Sequence, residues 1–219
     1  MGRRALRKID PSLDLSAHLR RLEELPRPLG GPALFGREAP LELEVGSGKG
    51  LFLRTAGAAR PDTDFLGVEI AVKYARFAAA GLMKAGLPNA IVVQGDALRL
   101  LAEYLPDDAL HAVHVYFPDP WWKKRHKKRR VMRETLLGDV ERTLRPGGSL
   151  HFWTDVEEYF LTSLELIAAH TKLLGPMAVA EQHSEHDLDY RTHFERRGRQ
   201  HEEPVYRAEF RKAPADAAR

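Results

Sequence analysis

The sequence predicts an α/β protein built on a mostly parallel β-sheet with helices on both faces. Three observations carry that expectation. From Leu41 onward, short apolar runs alternate with longer helical stretches, the pattern of strands whose chain must cross back over a sheet before pairing again. A glycine-rich turn, Gly46-Ser47-Gly48-Lys49-Gly50, follows the first run directly. Acidic residues then recur just past successive runs, at Glu69, Asp96, Asp119 and Asp155, where an open parallel sheet binds its ligands.

Taken in order, residues 1–40 read as an arm and linker. Scattered arginines lead into Pro26-Arg27-Pro28-Leu29-Gly30-Gly31-Pro32, whose prolines and glycines break regular structure, and a disordered tail is expected. Residues 41–219 form the main domain. Its first strand is Leu41–Val45, with a helix beginning near Leu51. The second, Phe65–Ile70, precedes the Ala-rich helix Ala71–Ala85. The third, Ala90–Val93, runs into Gly95-Asp96. A fourth, Leu110–Phe117, leads into Pro118-Asp119-Pro120-Trp121-Trp122. A helix over Val131–Leu144, a turn at Pro146-Gly147-Gly148 and a fifth strand, Ser149–Trp153, follow, with Thr154-Asp155 at its end. The remainder reads as a helix from Val156 to about His170, a weak strand near Met177–Gln182, a polar loop and a last strand, Val205–Arg211.

The chain has 219 residues, within reach of one globular domain. It has no cysteine, which excludes disulfides and thiolate metal sites and fits a reducing cytoplasm. No apolar run is long enough for a membrane span. Net charge is only +3, yet Lys123, Lys124, Arg125, Lys127, Lys128, Arg129 and Arg130 place seven positive charges within eight positions. The basic character is local, as a surface that meets a polyanion requires.

A strand, glycine turn and helix form the entry to a nucleotide or nucleoside site. The phosphate loop of an NTPase needs a hydroxyl residue after its lysine, and Gly50 follows Lys49. A dinucleotide dehydrogenase prefers G-x-G-x-x-G, and the glycines here stand at 46, 48 and 50. S-adenosylmethionine carries no pyrophosphate, so its site tolerates carboxylates such as Glu44 beside the turn. Glu69 is placed to take ribose hydroxyls of either a dinucleotide or S-adenosylmethionine, and Asp96 to meet the adenine or its amino group. Pro118-Asp119-Pro120-Trp121 lacks the adjacent prolines with which related enzymes orient an exocyclic amine. N7 of guanine carries no hydrogen and needs no such device. A carboxylate at Asp119 would favour the positive charge that methylation leaves on the base.

The run from Pro118 to Arg130 resembles the signature of bacterial tRNA (guanine-N7)-methyltransferases, the TrmB family. The resemblance extends to Glu42-Leu43-Glu44-Val45-Gly46-Ser47-Gly48-Lys49-Gly50, Gly67-Val68-Glu69, Gly95-Asp96, Thr154-Asp155 and Thr192-His193-Phe194-Glu195-Arg196-Arg197-Gly198. It implies a seven-stranded class I, Rossmann-like methyltransferase fold over residues 41–219. It also implies S-adenosylmethionine as donor, S-adenosylhomocysteine as product, and guanosine 46 of the tRNA variable loop as target. By resemblance the cofactor residues are Glu44, Gly46, Gly48, Glu69, Asp96 and Asp119, with Asp119 also catalytic. The substrate residues are Lys123, Asp155, Thr192, His193, Phe194 and Glu195. Trp122 stands where the family varies and receives no catalytic role.

tRNA is expected to bind through the loop Lys123 to Arg130, with no metal, no membrane and no obligate protein partner. The pair His183-x-x-His186, with His193 nearby in sequence, has no third ligand at a recognised metal spacing. Trp121 and Trp122 could each stack on RNA or anchor the loop. The alternatives are methylation of another RNA or base by the same donor, a non-catalytic RNA-binding protein of this fold, and a nicotinamide dehydrogenase, which would have little use for the basic loop.

Overall fold

The structure is a computed structural model and describes residues 6–179 and 204–215. In chain order its elements are β1 (Leu19–Arg21), a 3-10 turn (Leu22–Glu24), α1 (Gly31–Phe35), β2 (Leu41–Val45), α2 (Leu51–Ala59), β3 (Asp64–Glu69), α3 (Val72–Ala85) and β4 (Ala90–Gln94). There follow α4 (Ala97–Arg99), continued by a π turn (Leu100–Tyr104), then β5 (Leu110–Tyr116), a 3-10 stretch (Lys124–Arg129), α5 (Glu134–Thr143), β6 (Leu144–Thr154), α6 (Glu157–His170), β7 (Leu174–Met177) and β8 (Tyr206–Arg211).

Among the described residues, eight strands form one sheet in the order β1-β4-β3-β2-β5-β6-β8-β7. β1 through β6 pair in parallel, while β8 runs antiparallel to β6 and β7. Seven strands correspond to the expected fold, and the eighth, β1, comes from the segment read as an arm. It is three residues long and carries two arginines, a composition that suits a sheet edge and gives little strand signal. Beyond it Leu22, Leu25 and Leu29 are buried in the same core as the π turn's Leu100, Leu101 and Tyr104. Ile9, Leu13 and Leu15 cover Ala79, Ala80 and Met83 of α3.

Two further elements differ from expectation. β6 begins at Leu144 and carries Pro146-Gly147-Gly148 as an irregularity inside the strand, since its pairing to β5 jumps from Leu110↔Leu144 to Ala112↔Ser149. β7 lies at Leu174–Met177, earlier than the expected Met177–Gln182, and pairs with β8 between Leu174↔Arg211 and Met177↔Glu209. Among the described residues no helix is long and apolar enough to cross a membrane.

The centre of the sheet sets up the site. All five residues of β2 are buried, as expected for a strand covered on both faces. Leu41, Leu43 and Val45 enter the core shared with α5 and α6. Alternation then sends Glu42 and Glu44 to the opposite face, toward Phe52 and Leu53 of α2. Two carboxyls thus lie inside the protein, and they are treated very differently.

Candidate active site

Glu42 is fully partnered. Arg60 donates to both of its oxygens, Nη1 to Oε1 at 2.6 Å and Nη2 to Oε2 at 2.9 Å. His114 Nε2 lies 2.9 Å from Oε2, and His114 Nδ1 lies 2.9 Å from the Tyr116 hydroxyl. Burial pushes this carboxyl up, but the hydrogen bonds from His114 and Arg60 outweigh it and hold the pKa at about 2. Glu42 is a structural anion.

Glu44, two residues on, is 4 % exposed, and its Oε2 is buried with no hydrogen-bond partner among the described residues. Burial, with the nearby Glu69 carboxylate adding to it, raises its pKa to about 8. Ser47 Oγ is likewise buried and unpartnered. Orphaned polar atoms beneath a glycine turn mark a ligand's place better than any fold feature, because leaving each one unsatisfied costs about 1–3 kcal/mol.

The turn itself is left-handed at Gly46 (φ 78°), Gly48 (φ 52°) and Gly50 (φ 71°). At Gly50 a Cβ would also lie 2.7 Å from that of Ala78, so the turn seats α2 against α3 only with glycine there. Glu69, at the end of β3, binds the turn from the other side. Its Oε2 accepts the Gly48 N–H at 2.9 Å and its Oε1 the Ala71 N–H at 2.8 Å. An ionised carboxylate retains acceptor sites beyond two such bonds. Ile70 and Val72, just past Glu69, are 69 % and 57 % exposed, an apolar surface beside the carboxylate that the sequence reading did not single out.

Asp96, past β4, accepts the Leu98 N–H at 2.9 Å and caps α4. Its turn is packed against the N-terminal segment, since a Cβ on Gly95 would sit 2.6 Å from Leu22 Cβ. Past β5 the backbone is left-handed at Phe117 (φ 48°) and Trp121 (φ 45°), which costs about 1–3 kcal/mol each in non-glycine residues. Asp119 lies between them, and its Oδ1 accepts the Trp121 N–H at 3.0 Å.

Arg130 holds this loop to α6. It is 9 % exposed, donates to the Pro120 carbonyl at 2.8 Å, pairs with Glu158 at 2.6 Å, and lies 4.4 Å over the Tyr159 ring. Lys123, Arg125, Lys128 and Arg129 are exposed. Asp155 follows β6, beside β5 in the sheet. Thr192, His193, Phe194 and Glu195 lie outside the described residues. The structure therefore brings Glu44, the glycine turn, Glu69, Asp96, Asp119 and Asp155 to the carboxyl ends of adjacent parallel strands. A groove of about 360 Å³ lined by Phe35, Arg37, Pro61, Leu87 and Pro88 lies at the opposite pole, away from these carboxylates.

Residues 38–208 match a family described as "Putative methyltransferase". The chain is 50 % identical over 218 residues to the tRNA (guanine-N(7)-)-methyltransferase of Rhodopirellula baltica, covering 97 % of this chain and 80 % of that protein. It is 40 % identical over 192 residues to the protein of the same name from Cupriavidus necator, covering 87 % and 73 %. Among solved structures, the 16S rRNA methyltransferase KamB superposes with a TM-score of 0.60 at 18 % identity, over 82 % of this chain and 91 % of that one. The precorrin-6y C5,15-methyltransferase of Geobacter metallireducens GS-15 gives 0.55 at 18 % identity, over 80 % and 82 %. At such identities the two structures speak to the fold alone.

Proposed function

This chain belongs to the TrmB family of tRNA (guanine-N7)-methyltransferases, and from that premise we propose that it methylates N7 of guanosine 46 in the tRNA variable loop. The observation that carries the reading is the buried Glu44 Oε2, unpartnered among the described residues, beneath a glycine turn at the same end of the sheet as the strained Asp119 loop and its basic run.

The residues fit S-adenosylmethionine. Glu44 Oε2 and Ser47 Oγ are orphaned acceptors that an ammonium group would satisfy. Glu69, held by two backbone N–H groups, presents a fixed carboxylate to a ribose diol. Asp96 and the exposed Ile70 border the same strand ends and suit the purine. When bound, S-adenosylmethionine supplies the electrophilic sulfonium methyl group.

On the acceptor side, N7 has a free lone pair, so no residue needs to remove a proton from it. Asp119 acts by charge, favouring the cationic purine that forms. Holding that carboxylate still is the task of the Trp121 N–H and of Arg130 on the Pro120 carbonyl. Lys123 and the exposed cations after it meet phosphates, Asp155 supports the base, and Thr192 to Glu195 read the guanine edge. The variable loop suits this site because the base must leave its stack to expose N7 and the Watson–Crick edge together.

Incubating the protein with an unmodified tRNA transcript and methyl-labelled donor, then digesting to nucleosides, tests the reaction. Label is expected in 7-methylguanosine, and a transcript with adenosine at position 46 is expected to receive none. Label in another nucleoside would sink the base assignment, and label persisting in the position-46 variant would sink the site assignment.

A further inference from the structure

The basic loop is divided between anchoring and exposed residues. Trp121 is half-buried, with the Arg129 guanidinium 5.0 Å from its ring centroid and the His126 ring edge-on at 5.8 Å. Arg130 is committed to Pro120 and Glu158. These side chains hold the loop. Trp122, the next residue, is 68 % exposed.

A single exposed apolar side chain needs no explanation by itself. The setting of this one does. Trp122 lies three residues from Asp119, so its Cα is within about 11 Å of Asp119 even in a fully extended chain. The left-handed Trp121 immediately before it fixes where the chain turns outward. The 3-10 stretch after it is started by the His126 N–H on the Lys123 carbonyl at 2.7 Å, and Lys123, Arg125 and Lys128 are exposed around it. An indole face set among cations is what single-stranded nucleic acid binds, because every base has a π-face and every phosphate a charge.

We propose that Trp122 is a stacking platform for an unpaired base of the tRNA, a close neighbour of the guanosine being methylated. The inference rests on the tRNA reading above and adds to it a base-contacting residue. Trp121 anchors the platform and Trp122 is the platform. Stacking releases no counterions, so its contribution to affinity is independent of salt, unlike that of Lys123 or Arg125.

The test uses the full chain, an unmodified tRNA transcript without donor, and a salt series. Trp122→Ala and Trp122→Leu are expected to weaken binding by roughly 5- to 100-fold, while Trp122→Phe stays within about threefold of wild type. The slope of log affinity against log salt is expected to be the same in all four proteins. Lys123→Glu should lower that slope by roughly one. Tryptophan fluorescence quenched by tRNA in the wild type should lose most of its quenching in Trp122→Phe, where Trp121 and Trp153 remain. Trp122→Ala binding as tightly as wild type would overturn the proposal. So would Trp122→Leu matching wild type, which would mean apolar packing, or quenching that persists in Trp122→Phe. A wild type that neither binds nor methylates tRNA would remove the functional reading as well. A wild type that does both, beside an unaffected Trp122→Ala, removes only this inference.

Discussion

Glu44 makes donor binding a proton-linked event. Its pKa of about 8 in the ligand-free chain leaves only about one molecule in ten ionised at pH 7, and ionising the rest costs about 1.4 kcal/mol. A donor ammonium seated against Oε2 favours the carboxylate, so binding at pH 7 should release close to one proton. Between pH 6 and pH 7 the dissociation constant should fall about tenfold, as the ionised fraction rises. Above pH 8 the gain should stop and reverse, because an α-amino group of ordinary pKa, about 8, loses its own charge there. Titration calorimetry at pH 7 in two buffers of different ionisation enthalpy measures the released proton directly.

The same group has a signature in the unliganded protein. A carboxyl whose folded pKa lies above its unfolded value stabilises the fold fully below the unfolded pKa, and that contribution is lost as pH rises through the folded one. Stability should therefore decline from about pH 4.5 to about pH 8, by no more than about 5 kcal/mol. Glu44→Gln should abolish both the proton release and this decline while weakening donor binding. Dissociation constants that agree within twofold from pH 6 to 7.5, with no released proton, would refute the reasoning.

Glu42 should show the opposite linkage. Its pKa of about 2 gives stability that is present above about pH 4.5 and lost as pH falls toward 2, up to about 3 kcal/mol, and Arg60→Met should move acid unfolding, followed by circular dichroism, to higher pH. Gly95→Ala should destabilise by about 1–3 kcal/mol through its clash with Leu22 Cβ, and a cycle with Leu22→Gly, which removes that atom, should show partial compensation; strict additivity would mean that the two residues do not meet. Reversing Arg125 and Lys128 should flatten the salt dependence of tRNA affinity, whereas Arg130→Gln should leave the slope intact and lower turnover, because Arg130 is tied to Pro120 and Glu158; equal slope changes would refute that division. Glu195→Gln should sharply reduce methylation with donor affinity unchanged, because an amide presents one acceptor and one clashing donor to the two adjacent donors of guanine; a wild-type rate at subsaturating tRNA would refute the assignment.

The strands and turns that form the site were legible because each announces itself locally. β2 is a continuous buried run with a glycine turn at its end, and β3, β4 and β5 repeat the design with an acid at or beyond each end. What stayed hidden depends on contacts distant in sequence. β1 is too short and too charged to read as a strand, and exists because β4 offers it an edge. Leu22, Leu25 and Leu29 are spaced like a helical stripe, but Pro26 and Pro28 interrupt it, so their burial against the π turn has no local signal. Arg130 looks like its neighbours in the basic run until Glu158 and Tyr159 surround it.

The two acids of β2 carry the argument furthest. Both occupy the same face of one buried strand, and sequence pattern alone gives them the same environment. Glu42 meets a residue 18 positions away and another 72 positions away and becomes a satisfied anion. Glu44 Oε2 meets no partner among the described residues, and burial raises the pKa of this carboxyl to about 8. A protein that could satisfy one buried carboxylate so completely had the means to satisfy the other, or to replace it with a leucine at a gain in stability. The local rule is broken at Glu44 and again at Ser47, in and beneath a glycine turn one strand from the strained Asp119 loop, and such breaks concentrate where a ligand completes the structure. The energetic consequence is specific. A site organised around a neutral acid discriminates by charge, because a cation drives off its proton while a neutral or anionic analogue leaves an unpartnered carboxyl in place. Donor analogues that keep the purine and ribose but lack the amino group should therefore bind without proton release and show no tightening between pH 6 and pH 7. An analogue that lacks the amino group yet still releases the proton would show that something other than Glu44 titrates.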